Sequence, residues 1–164
     1  MNRRKKKKQL SKQQEYIFGA IGYIFYMTSM IEYNLVQVIA AERYLQVFDK
    51  EDLSYIDVIS AKEDSNRTLH ELTDGHKMLG KLIDILEKDT SIDGGLIERL
   101  RKVADIRGYY AHQFYKEDLY KNYLEKTPLI YRKQLREDVG FIYSVHMEVF
   151  GIDKANRALA KRTN

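Results

Sequence analysis

An arginine and a histidine five residues apart carry the clearest chemical signal in the chain, in the stretch Arg107-Gly-Tyr-Tyr-Ala-His112. Histidine, with an unperturbed pKa near ~6.5, takes or gives a proton at neutral pH. Arginine stays charged and forks onto phosphate oxygens, where it offsets charge that builds in a transition state. Together they suit RNA cleavage, in which a base deprotonates a 2′-hydroxyl as it attacks its own phosphate and an acid protonates the leaving 5′-oxygen. On this reading His112 is the general acid/base and Arg107 clamps the scissile phosphate. Tyr109 and Tyr110 are the neighbours expected to stack on or hydrogen-bond a base, with Lys116 as a further substrate contact. A five-residue spacing spreads two side chains about 140° apart around an ideal helix. A cleft between two copies, with one His112 facing the other Arg107, removes that difficulty. A purely structural use of the same pair has Arg107 salt-bridged to Glu32 or Asp105 and His112 capping an internal polar hole.

Other chemistries have weaker support. The chain contains no cysteine, which removes disulfides, thiolate zinc sites, iron–sulfur clusters and cysteine nucleophiles. Gly75-His-Lys-Met-Leu-Gly80-Lys81 has phosphate-loop spacing as far as its lysine, but Leu82 replaces the magnesium-binding hydroxyl and the stretch reads as helix. His70, Asp74 and His76 lie close in sequence without the further converging ligands that a transition metal takes. A di-iron bundle carries Glu three residues before His. Arg67, Thr73, Tyr109 and Tyr143 stand there instead, so neither metal nor cofactor is expected. Tyr109, Tyr110, Tyr115, Tyr120, Tyr123 and Tyr131 crowd one region beside Arg107, Lys116, Lys121 and Arg132. Aromatic faces with adjacent cations hold unstacked bases; the same rings also serve to pack helices while wetting their hydroxyls.

The longer stretch Val103-Ala-Asp-Ile-Arg-Gly-Tyr-Tyr-Ala-His-Gln-Phe-Tyr-Lys-Glu-Asp118 resembles the HEPN superfamily. The signature of that superfamily is Arg, four to six residues of any kind, then His, near the end of a bundle helix. The Ala111-His112-Gln113-Phe114-Tyr115 continuation is similar to a branch that reads Arg-Asn-x-x-Ala-His-x-Phe-Phe. The resemblance implies a helical bundle that forms a homodimer with its Arg–His pairs facing across a cleft. It further implies a metal-independent endoribonuclease acting on RNA, in a toxin–antitoxin or phage-defence system with an antitoxin or other partner protein. Members that have lost activity bind a nucleotide, nucleic acid or partner protein instead. Where the family usually has Asn after the arginine, this chain has Gly108.

The elements that must position these residues read as helices. A length of 164 residues with 44% hydrophobic residues suits one domain. A single proline, Pro128, argues against a turn-rich β fold. Ile17, Ile21, Ile24, Ile31, Leu35 and Ile39 recur at helical spacing and predict a first helix over about 12–48. A short helix over 53–61 follows, then a long one over 69–88 capped by Thr68, with Leu72, Leu79, Leu82, Ile83 and Leu86 inward. Asp93-Gly94-Gly95 is a turn, and a third long helix from Leu96 uses Leu100, Val103, Ala104, Ala111 and Phe114. A shorter helix is expected over 117–125. Thr127-Pro128 opens the last long helix, with Leu135, Val139, Ile142, Val145 and Val149 inward, Gly151 ending it and Asp153 capping one further turn. The expected fold is all-α, an antiparallel bundle of four long helices plus short ones.

Charge divides unevenly along this plan. The net charge is +4, yet Arg3, Arg4, Lys5, Lys6, Lys7 and Lys8 alone contribute six positive charges. Without them 22 basic residues face 24 acidic ones, so the basic character belongs to a tail over 1–11 suited to phosphate-rich polymers. The bundle is expected over 12–150 and a short helix or tail over 151–164. Tyr16–Ile31 is uncharged but shorter than a membrane span and bounded by Glu15 and Glu32. It reads as a core helix, and a cytoplasmic protein without a membrane partner is expected.

Overall fold

In the computed structural model, which describes residues 12–49, 52–74, 79–90, 92–114, 116 and 128–162, apolar residues at helical spacing draw the described residues into five α-helices. They are α1 (Lys12–Leu45), α2 (Tyr55–Asp74), α3 (Leu79–Asp89), α4 (Gly94–Gly108) and α5 (Pro128–Arg162). A 3-10 turn over Gln46–Asp49 prolongs α1. Among the described residues there is no strand, and the fold is all-α. None of the described helices is long and apolar enough to cross a membrane.

Cross-helix bonds define the topology. Ser65 Oγ of α2 donates to the Ala40 carbonyl (2.9 Å). The Leu79 N–H at the start of α3 donates to Glu32 Oε1 (3.2 Å), and Gln46 Nε2 reaches the Asp89 carbonyl at the far end of α3 (2.8 Å). The α3 helix therefore runs parallel to α1, with α2 between them in sequence and opposite in direction. The α4 helix turns back on α3 and anchors Arg101 to Asp84 and Glu87. It also opposes α5 through Arg99 on Glu148, Lys102 over the Phe141 ring, and Tyr110 on Asp138. At the two ends of the α1–α5 pair, Arg132 sits over the Tyr16 ring and Asn156 Nδ2 donates to Glu42. Direction alternates from each described helix to the next, and the most extensive packing, α1 on α5, is parallel. The all-α bundle is as expected, and within it α1 and α5 lie parallel in place of the expected antiparallel pairing.

Burial follows the sequence stripes. Ile17, Ile21, Ile24, Ile31, Leu35 and Ile39 are all buried, as are Leu79, Leu82, Ile83 and Leu86 of α3 and Leu135, Ile142, Val145 and Val149 of α5. The first half of α1 is buried on one side, with Phe18, Tyr23 and Tyr26 exposed, whereas Asn34, Leu35, Val36, Val38, Ile39 and Ala40 bury most of the circumference of its second half.

Several boundaries differ from expectation. The short helix expected over 53–61 continues unbroken to Asp74 as the 20-residue α2, because Ala61, Ser65, Thr68 and Leu72 keep one helical stripe with contacts to α1. The long helix expected over 69–88 is divided between α2 and the 11-residue α3. Thr68 is not an N-cap: it lies inside α2, buried, and accepts a hydrogen bond from Arg43 Nη1 (2.9 Å). The hydroxyl links α2 to α1 and so needs no helix start. Gly151 does not end the last helix, which runs unbroken to Arg162. The extension is held by Asp153, which bonds Arg157 within the helix and is no cap, and by Asn156 on Glu42. The expected helix over 117–125 and the tail carrying Arg3, Arg4 and Lys5 to Lys8 lie outside the described residues.

Candidate functional site

The α4 helix is anchored at its start by Asp93, whose carboxylate accepts from the Leu96 N–H (3.2 Å). The same N–H also donates to the Asp93 carbonyl (3.0 Å), so carboxylate and carbonyl share this first-turn donor. A Cβ at Gly95 would lie 2.7 Å from Asp93 Oδ2, so a larger residue there would push the capping carboxylate aside. From Asp93 the helix runs 15 residues down to Gly108, the residue after Arg107.

Beyond Gly108 the backbone widens into a π-helical stretch over 109–114. Its i→i+5 bonding shifts every following side chain relative to α-helical register, and such insertions concentrate at functional sites. The stretch spans most of the Arg107–His112 interval, so the ideal-helix angle between the two no longer strictly applies.

Tyr110 occupies the core. It is 2% exposed, its ring stands edge-on to Tyr109 at 5.0 Å and against Phe114 at 5.4 Å, and its hydroxyl donates to Asp138 Oδ2 (2.8 Å). Asp138 is itself buried, and its other oxygen accepts from Gln134 Nε2 (2.9 Å). The expectation that Tyr110 contacts substrate is therefore corrected: its ring is covered and its hydroxyl is committed, so it acts as a strut between α4 and α5.

On the opposite side the same turns open outward. Ala104, Asp105, Gly108, Tyr109, His112 and Gln113 line a shallow depression of about 520 Å³. His112 is exposed there, with the Asp105 carboxylate on the same face two turns earlier. Tyr109 is half-buried, one side against the core and one at the depression. Gly108 forms part of the floor, and an added Cβ would meet nothing within 4 Å.

Arg107 does not line this depression. It is half-buried and falls on the stripe Leu100, Val103, Arg107, Tyr110, Phe114, whose other four members are buried. One protomer thus presents Arg107 and His112 on different faces. The carboxylate Glu32, offered as a structural partner for Arg107, is used instead at the start of α3. Lys116 is exposed, just past the widened stretch. Tyr115, Tyr120 and Tyr123 lie outside the described residues. Among the described residues no three His, Cys, Asp or Glu side chains converge.

The strut formed by Asp138 and Gln134 was missed by sequence reasoning, though it left a signal. Leu135, Asp138, Ile142, Val145 and Val149 keep helical spacing, so Asp138 is a carboxylate set into an apolar stripe. Such a residue needs a buried hydrogen-bond partner. No family model, curated protein or solved structure matches the chain.

Proposed function

We propose that the protein is a metal-independent endoribonuclease of HEPN type, with His112 as general acid/base and Arg107 stabilising the scissile phosphate. In such a site an imidazole accepts the 2′-hydroxyl proton while that oxygen bonds to phosphorus, and a proton is returned to the departing 5′-oxygen. The products are a 2′,3′-cyclic phosphate and a free 5′-hydroxyl. The observation that carries the reading is His112 exposed in an open depression on a widened turn, with a carboxylate and an aromatic ring beside it. Because Arg107 belongs to another face of the same helix, the reading takes the active centre to be shared between two copies of the chain. A toxin–antitoxin or phage-defence setting, with an antitoxin as partner, is the biological role that accompanies it.

A second reading, a non-catalytic HEPN-like binding protein, is favoured by one feature. Gly108 offers no side chain where a polar one would orient the phosphate.

Labelled RNA incubated in EDTA separates the two readings. Wild type cleaves, and Arg107→Ala and His112→Ala each lose about 10²–10⁴ in rate. Mixing the two inactive variants restores about a quarter of the wild-type rate, since half the dimers are mixed and each carries one intact composite centre. Failure of the mixture to recover, with both single variants silent, places the whole centre in one protomer. Absence of cleavage by wild type leaves the binding protein.

A further inference from the structure

A second cavity, remote from His112, lies where the C-terminal part of α5 runs along the middle of α1. Its volume is about 700 Å³, within the roughly 300–1,000 Å³ usual for small-molecule sites. The floor is soft and apolar, made by Met30 from α1 and Met147 and Phe150 from α5, with Tyr33 at its edge. Methionine and aromatic surfaces adapt well to a flat ring.

Two polar atoms interrupt that floor. Asn34 is 3% exposed, lines the cavity, and its Nδ2 has no hydrogen-bond partner. His146 Nδ1 is likewise buried without a partner. A buried amide donor needs an acceptor, and an acyl chain in the cavity would supply none. Asn34 therefore selects against a purely hydrocarbon occupant.

The mouth is cationic. Lys154, Arg157 and Lys161 follow one another at three- and four-residue spacing, so they share one face of α5. Arg157 is tied to the buried Asp153 (2.8 Å), which neutralises it and fixes its position. Lys154 and Lys161 have no ion pair among the described residues, leaving two positive charges at the rim. Lys161 lies in the last turn of α5, where the helix dipole alone favours a cation. Lys154 is too far back for that explanation.

We propose that this cavity binds a small molecule consisting of a flat, acceptor-bearing ring and an anionic group. The ring lies on Met30, Met147 and Phe150 with an acceptor on Asn34 Nδ2, and the anion meets Lys154 and Lys161. Nucleoside monophosphates and aromatic carboxylates share this chemistry. The inference does not rest on RNA cleavage, because none of its residues belongs to the His112 depression.

Calorimetric titration of the full chain with AMP, GMP and UMP forms one arm, and 4-hydroxybenzoate and indole-3-carboxylate form the other. Adenosine and inorganic phosphate are the controls. Saturable binding is expected in one arm, at least ~tenfold tighter than either control because ring and anion are both held. Asn34→Asp, which exchanges the donor for an acceptor, and the surface double variant Lys154→Glu/Lys161→Glu should each weaken it at least ~tenfold. Cleavage of RNA by the lysine double variant should stay at the wild-type rate, so that failure here and failure of the nuclease reading are told apart. No saturable binding in either arm overturns the inference, as does binding that survives both variants. A dimer that dissociates on Met147→Glu, with no ligand bound by wild type, would assign the cavity to a second copy of the chain.

Discussion

Replacing Tyr110 by Phe removes one oxygen and leaves the ring contacts to Tyr109 and Phe114 in place. The change deletes the hydrogen bond from a 2%-exposed residue to a buried carboxylate, Asp138. Hydrogen bonds to charged groups contribute about 1.5–3 kcal/mol, and the upper end applies because Asp138 Oδ2 is then left short of a donor away from water. For a chain of this length each kcal/mol moves the midpoint by ~2–4 °C, so Tm should fall by about 6–12 °C. Asp138→Leu should be similarly harmful, because it leaves the Tyr110 hydroxyl buried without this acceptor. The double variant, with both polar groups gone, should recover part of the loss and give a coupling of about 1–2 kcal/mol. Urea unfolding followed by circular dichroism at 222 nm measures all four corners of the cycle. A Tyr110→Phe effect below ~0.5 kcal/mol, or two effects that simply add, would refute the strut. The consequence for the site is direct, since Tyr110 lies between Arg107 and His112 and orients the turn that carries both.

Gly108 has open space around an added Cβ, so Gly108→Ala should raise stability by about 0.5–1 kcal/mol in the same urea experiment. Gly108→Asn, which restores the polar residue of the resembled family, should raise the RNA cleavage rate; an unchanged rate would remove any role for that side chain. Desolvation holds the His146 pKa below its usual 6.5, so the unfolded chain binds more protons than the folded one as pH falls below that value. Tm should therefore drop between pH 7 and pH 5.5 by more in wild type than in His146→Phe, and equal pH profiles would contradict this. Deleting residues 1–8 should leave the thermal midpoint unchanged and flatten the salt dependence of RNA binding, by up to about one unit of slope for each phosphate the tail had neutralised. An unaltered slope would show that the tail does not touch RNA.

Helical spacing fixes the all-α class and the main buried stripe of each helix, but not the helix limits: residues 62–68, expected between helices, lie inside α2. Recurrence at three and four residues is a local property, and it placed Ile17 to Ile39, Leu79 to Leu86 and Leu135 to Val149 correctly in the core. It separates Arg107 from His112 around an ideal helix, but the π-helical stretch over 109–114 is not part of that repeat and alters the angle between them. Where helices stop is a matter of packing. Thr68 and Gly151 carry ordinary start and stop signals, yet each is overridden by contacts to α1, with Arg43 holding Thr68 and Glu42 holding Asn156 beyond Gly151. Packing also lays α5 parallel to α1, bringing Asn156 to Glu42 across 114 positions of sequence. Above all it separates residues of equal promise: Tyr109 borders the open depression, while Tyr110 is turned inward onto Asp138, 28 residues away in sequence. Periodicity carries no information about a partner on another helix, and only the tertiary arrangement brings that carboxylate to that hydroxyl.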